Sequence, residues 1–154
     1  MSQNNAPADA AAQISPELDA LSCDLLGSAL DALAAGVDVL GIVAVEDAEG
    51  TRMTRAFSDD GPEACITGAR ELVSSLVSSA GDASEPIGAP ERYALVYEGA
   101  VERDDEGFDD ALILEFGEAG QPSFSAYVLW EGFGAGEKFM WADPMPAGEV
   151  DSLL

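Results

Sequence analysis

Hydrophobic positions near the start of the chain recur at the spacing of a helix. Leucine and alanine residues from Leu18 to Leu33 follow one another at steps of three and four, which places them on one face of a helix. The residues just before them are typical of a helix start, because Ser15 can cap the first turn and Pro16 suits the first helical position. The pattern predicts a helix over Pro16–Ala35.

A second apolar stripe with the same spacing begins at Cys65 and runs to Ala80. The segment Ser58–Pro62 ahead of it contains the Ser, Asp, Gly and Pro residues that commonly start a helix. Gly81 follows the stripe, and glycine is the residue that most often ends a helix. We therefore expect a second helix that ends at Gly81.

The other apolar segments have the short or alternating patterns of β-strands. Val37–Val45 is almost continuously apolar, which is typical of a central strand that is buried on both faces. Further strands are predicted at Thr51–Phe57, Arg92–Val101, Ala111–Phe116, Ser123–Trp130 and Lys138–Trp141. Residues 142–154 contain Pro144 and Pro146, and because proline is disfavoured within a sheet we expect no strand there.

The predicted order of elements is α-β-β-α-β-β-β-β. This order indicates an α+β fold, in which two helices pack on one side of a mainly antiparallel, twisted sheet of about six strands. The length of 154 residues is the usual size of one domain. We assign residues 1–14 to a flexible N-terminal tail, residues 15–142 to a single α+β domain, and residues 143–154 to a C-terminal tail.

The charge of the chain excludes several classes of function. It has 30 acidic and 6 basic residues and no histidine. A histidine general base, a histidine metal ligand and a basic groove for nucleic acid therefore lack their residues, and we expect no direct binding of nucleic acid. The acidity itself has two interpretations. It can serve solubility, including adaptation to high salt, or it can form a surface for a basic partner or mimic nucleic-acid phosphates.

The two cysteines and the overall hydropathy indicate a cytoplasmic protein. Cys23 and Cys65 are too few for a disulfide framework or a metal site, and Cys65 falls on an apolar stripe where cysteine acts as a small hydrophobe. The first residues lack the basic and apolar regions of a signal peptide. No window approaches 18 uninterrupted apolar residues, so we expect no association with a membrane.

The densest group of carboxylates is a predicted loop between two strands. It comprises Asp104, Asp105, Glu106, Asp109 and Asp110 around a glycine, and such oxygens are the ligands that Ca²⁺ prefers. The spacing lacks the alternating acids and the closing glutamate of an EF-hand. We favour a solvated loop and predict no metal and no cofactor, which leaves these five residues as weak candidates for a metal site.

Two glutamates interrupt apolar strands and are the best candidates for acid–base chemistry. Glu98 lies in the segment LVYEGAV and Glu115 in LILEF. Burial would raise the pKa of either carboxyl and make it a candidate general acid. The alternative is that each side chain lies on the exposed face of its strand.

Aromatic residues are concentrated in the last predicted strands. They belong to the core or form an exposed patch for a partner, and the candidates for such a patch are Tyr127, Trp130, Phe133 and Trp141. The leading hypothesis is a small non-enzymatic module that binds a protein partner or a second copy of itself. The alternatives are an acidic mimic of nucleic acid that inhibits a basic partner, and an enzyme that uses Asp or Glu.

Overall fold

A computed structural model describes residues 14–58 and 61–154. These residues form two helices and a mainly antiparallel sheet, and the α+β class and the order of the elements predicted from the sequence are confirmed. The predicted N-terminal tail lies, except for Ile14, outside the described residues, as does part of the predicted start of the second helix. Among the described residues, no helix combines the length and the apolar character that crossing a bilayer requires.

The two helices are α1 (Pro16–Ala34) and α2 (Pro62–Ser79). The strands are β1 (Ile42–Asp47), β2 (Arg52–Ala56), β3 (Gly81–Asp82), β4 (Ile87–Gly88), β5 (Pro90–Glu102), β6 (Phe108–Glu118), β7 (Ser123–Glu131), β8 (Met140–Trp141) and β9 (Met145–Val150). A single 3-10 turn, Gly136–Lys138, precedes β8. The first strand begins five residues later than the sequence predicts.

The main sheet has the strand order β2-β1-β5-β6-β7, and both β8 and β9 pair with the outer edge of β7. The expectation that residues 142–154 contain no strand is wrong, because Met145–Val150 pairs with Ser123–Tyr127. Pro146 is tolerated there since β9 is an edge strand, and the register shifts beside its partner Ala126.

The two helices cover opposite faces of the sheet. On β1, Ala44 packs into the cluster beneath α1, whereas Val43 and Val45 pack beneath α2. We call these the α1 face and the α2 face. The expectation that both helices lie on one side is therefore wrong. The physical reason is that β1 and the middle of β5 are apolar at successive positions, so both faces of the sheet centre need a cover.

Candidate functional site

The aromatic residues at the end of β7 form one stacked group with the loop that follows. Trp130 is only 9% exposed and belongs to the cluster beneath α1. Its ring stacks on Phe139 with centroids 5.8 Å apart, and it makes a tilted contact with Phe133 at 6.4 Å. Trp130 is thus part of the core, and Phe133 and Phe139 extend that core towards the sheet edge.

A second layer of apolar side chains lies outside this group and is exposed. Trp141 pairs with Trp130 across β7 and β8 and is 53% exposed. Met140 is 58% exposed, and Phe133, the outer member of the Trp130 group, is itself 47% exposed. Such large apolar side chains, grouped at one edge, are typical of a surface that contacts another molecule.

Together with two carboxylates, part of this layer encloses a cleft of about 340 Å³, which we call the edge cleft. Its residues are Asp109, Leu129, Trp130, Glu131, Met140, Trp141 and Ala142. Asp109 accepts a hydrogen bond from the guanidinium of Arg103 at 2.8 Å. Glu131 is exposed at the end of β7. The cleft therefore combines an aromatic ring, a thioether and two anionic groups.

The four aromatic interaction candidates are divided by the structure. Phe133 and Trp141 are exposed at the sheet edge, and Trp130 is buried behind them. Tyr127 is three positions before Trp130 on the same strand, so its side chain lies on the opposite face, where it pairs with Met145. Three of the candidates therefore lie at the sheet edge, with Trp130 buried and Phe133 and Trp141 exposed, whereas Tyr127 lies on the other face of the sheet.

The acidic loop between β5 and β6 is held by an arginine. The guanidinium of Arg103 donates to Asp105 at 3.0 Å and to Asp109 at 2.8 Å, and the pKa of the Asp105 carboxyl is lowered chiefly by that first hydrogen bond. Within residues 14–58 and 61–154, no group of three or more His, Cys, Asp or Glu side chains is arranged to hold a metal ion. The candidates Asp104, Glu106 and Asp110 lie in and beside the same loop.

Glu115 is buried on the α2 face, not exposed, and its charge is matched. Its Oε2 accepts a hydrogen bond from Arg70 at 2.6 Å and one from the Tyr97 hydroxyl at 2.7 Å. Burial, and then the hydrogen bond to Glu115, raise the pKa of Tyr97 to about 12. The guanidinium of Arg70 also lies 5.9 Å from the centre of the Tyr97 ring. This trio ties α2 to β5 and β6.

Glu98 is half-buried and acts as a backbone partner. Its Oε2 accepts a hydrogen bond from the amide of Val39 at 2.6 Å, and its own amide donates to the Val39 carbonyl at 2.9 Å. Burial raises the pKa of the Glu98 carboxyl, and the nearby charges of Asp38 and Asp110 raise it further. Glu98 lines neither the edge cleft nor the groove described next.

A groove that the sequence did not reveal lies between the first half of α1 and strands β6, β7 and β9. It has a volume of about 370 Å³, and we call it the helix groove. Its apolar walls include Leu26, Leu114, Phe116, Phe124, Met145 and Pro146. The groove exists because β9 pairs alongside β7. The sequence pattern predicts no strand in the β9 region, because that region contains prolines. The apolar residues around Pro144 and Pro146 were the only signal for it.

Cys23 lies on α1 at this groove, but its thiol is a weak nucleophile. Burial and the neighbouring carboxylate of Asp19 raise the pKa of the thiol, so it is protonated at neutral pH. The sulfur lies 3.8 Å from Asp19 Oδ1, which accepts its hydrogen bond. The arrangement is the opposite of the electropositive setting that activates a catalytic cysteine.

Every arginine of the chain contacts a carboxylate, namely Arg52, Arg55, Arg70, Arg92 and Arg103. The most buried of them, Arg92, donates to Glu46 at 2.9 Å and to Glu118 at 3.3 Å. Glu118 also accepts a hydrogen bond from Ser15, the residue that caps α1. The arginines of this chain are therefore used to hold its own elements together, and an anionic ligand finds no free arginine.

Comparison with protein-family models, with curated proteins and with solved structures gives no match to this chain.

Proposed function

We propose that the protein is a non-enzymatic binding module that recognises a basic and apolar segment of a partner protein at the edge cleft. The observation that carries the proposal is the exposure of Trp141 and Met140 beside the carboxylates of Asp109 and Glu131. Aromatic residues and methionine are enriched at protein interfaces relative to other surfaces.

The chemistry of the cleft favours a lysine or arginine side chain as the inserted group. A cation over the Trp141 ring would gain a cation–π interaction of about 0.5–2 kcal/mol. On the other face of β8, the aliphatic stem of a second basic side chain can lie against Met140 with its charge at Glu131, the residue paired with Met140. The net charge of −24 would attract a basic partner and raise its association rate at low salt.

Binding is favoured over catalysis by the state of the reactive groups. Glu115 is occupied by Arg70 and Tyr97, and the Cys23 thiol is held protonated. An exposed thiol at Cys23 also supports the proposal that the protein works in a reducing compartment, which we take to be the cytoplasm.

The proposal is tested with fluorescently labelled peptides of alternating leucine and lysine, measured by anisotropy at about 0.1 M salt. We expect the wild-type chain to bind the lysine peptide and to reject a leucine–glutamate peptide of equal length. Trp141→Ala should weaken binding by roughly tenfold, the equivalent of about 1.4 kcal/mol. Glu131→Gln should also weaken it.

Glu49→Gln is the matched control, because Glu49 is exposed on the β1–β2 turn and its loss changes the net charge equally. It should leave the affinity unchanged. Binding that falls with salt but is insensitive to Trp141→Ala would contradict the edge cleft and would favour the acidic-mimic hypothesis. A concentration-dependent dimer in sedimentation, abolished by Trp141→Ala, would instead identify a second copy as the partner.

A further inference from the structure

The helix groove has the size and lining of a site for a small molecule. Its volume of about 370 Å³ falls in the range of about 300–1,000 Å³ that ligand sites occupy. Its walls are apolar, and the rings of Phe116 and Phe124 form one of them with their centroids 6.4 Å apart. An occupant with an apolar body would be stabilised by burying its apolar surface against these walls.

The charged groups of the groove have a single sign. Of the described residues that line it, two carry charge, Asp19 on α1 and Glu149 on β9, and both are carboxylates. They flank the groove from opposite sides, since the helix forms one wall and the strand another. A carboxylate or phosphate head group would be repelled here, whereas an ammonium group would be attracted.

Ser22 supplies a polar atom in the same wall. Its side chain is buried, with 5% of the residue exposed, and its Oγ has no hydrogen-bond partner among the described residues. A buried hydroxyl without a partner is unfavourable. Ser22 is three positions after Asp19, so the two side chains lie on the same side of α1.

We propose that the helix groove binds a small apolar amine, with its hydrocarbon part against Leu26, Phe116 and Phe124 and its ammonium group between Asp19 and Glu149. The ammonium N–H groups would donate to these carboxylates. This site is separate from the edge cleft, because the two share no residue.

The test is displacement of the uncharged dye N-phenyl-1-naphthylamine, followed by fluorescence at pH 7 and about 0.15 M salt. Decylamine, decanol and decanoate, each below its micelle concentration, are compared as competitors. We expect decylamine to displace the dye at a concentration at least tenfold lower than decanoate. Ala126→Met, which narrows the groove at its floor, should weaken all three competitors.

The double variant Asp19→Asn with Glu149→Gln should bring decylamine to within about threefold of decanol. Its matched control is Asp31→Asn with Glu71→Gln, two exposed acids on α1 and α2 that lie outside the groove. The control should keep the preference for the amine.

Three outcomes would overturn the proposal. The first is an equal loss of the preference for the amine in both double variants, which would indicate attraction by net charge alone. The second is an equal affinity of the wild-type protein for decylamine and decanoate. The third is an absence of dye displacement by decylamine. Thermal melting of each variant shows whether it is folded. If Ala126→Met does not fold, the two double variants still decide the question.

Discussion

At the scale of single residues, the end of α2 shows how backbone conformation can depart from the sequence signal. Gly81 was expected to end the helix, but the residue that adopts the left-handed conformation is Ala80, with φ 55°. Gly81 follows with φ 109°, and a Cβ there would clash with the Ile87 carbonyl oxygen. The glycine is therefore required by the contact between β3 and β4, which only the folded chain brings together.

Replacing Ala80 with glycine is expected to stabilise the protein. The left-handed conformation costs a non-glycine residue about 1–2 kcal/mol, and the greater freedom of glycine in the unfolded chain removes part of the gain. We expect the free energy of unfolding, measured in urea, to rise by about 0.5–1 kcal/mol. Ala64→Gly, on the exposed face of α2, is the control and should lower it by about 1 kcal/mol. A loss of stability in both variants would contradict the assigned conformation.

At the scale of elements, the helices and most strands follow from local patterns, but their arrangement does not. The three- and four-residue spacing placed α1 within one residue of its observed end. The strand β9 was missed because prolines weigh against a strand unless its place at an edge is known. The placement of the two helices on opposite faces was missed for a related reason. Apolar residues at successive positions show that both faces of a strand are covered, but they do not show which element covers each face.

The trio that joins α2 to β5 and β6 makes a prediction about alkaline pH. The pKa of Tyr97 is raised to about 12 in the folded protein, above its ordinary value of 10.0. The folded state therefore holds a proton that the unfolded state loses between these values, so this contribution to stability is complete below pH 10 and is lost as pH rises towards 12. Tyr97→Phe removes it, together with the hydrogen bond to Glu115.

We expect Tyr97→Phe to lower the free energy of unfolding at pH 7 by about 1.5–3 kcal/mol, because Glu115 loses a donor. Between pH 9 and pH 11 the wild type should lose about 1 kcal/mol more than the variant, once solvent screening is allowed for. Urea unfolding followed by tryptophan fluorescence at each pH measures both quantities. Parallel pH profiles for the two proteins would show that Tyr97 titrates normally.

The candidate site was only partly accessible from the sequence, again because it depends on how elements meet. The pattern identified Trp141 and Phe133 as surface candidates, and both are exposed. The pattern could not distinguish these two exposed residues from Trp130, which is buried in the cluster beneath α1, or from Tyr127, which the alternation of the strand places on the other face. The helix groove could not be predicted at all, since its walls come from a helix and from strands far apart in the sequence.

At the scale of the whole molecule, the distribution of charge governs stability. Each of the five arginines is engaged with a carboxylate, and the most buried, Arg92, joins β1, β5 and β6 through Glu46 and Glu118. The remaining acidic residues greatly outnumber the cations, so repulsion acts across the surface. Repulsion between exposed charges is screened by salt, whereas the partly buried pairs of Arg92 are screened much less.

Added salt should therefore stabilise this protein rather than weaken it. Between about 0.05 and 1 M NaCl we expect the free energy of unfolding to rise by on the order of 1–2 kcal/mol, equivalent to about 3–8 °C in Tm for a chain of this size. Thermal melting at pH 7 measures the shift, and the same titration at about pH 4.5, where many carboxylates are protonated, should give a smaller one. A Tm that falls with salt at pH 7 would mean that exposed ion pairs, such as those of Arg103 with Asp105 and Asp109, outweigh the repulsion. The attraction of a basic partner to the edge cleft would persist in either case, because it depends on the net charge of −24 and not on the balance between ion pairs and repulsion within the fold.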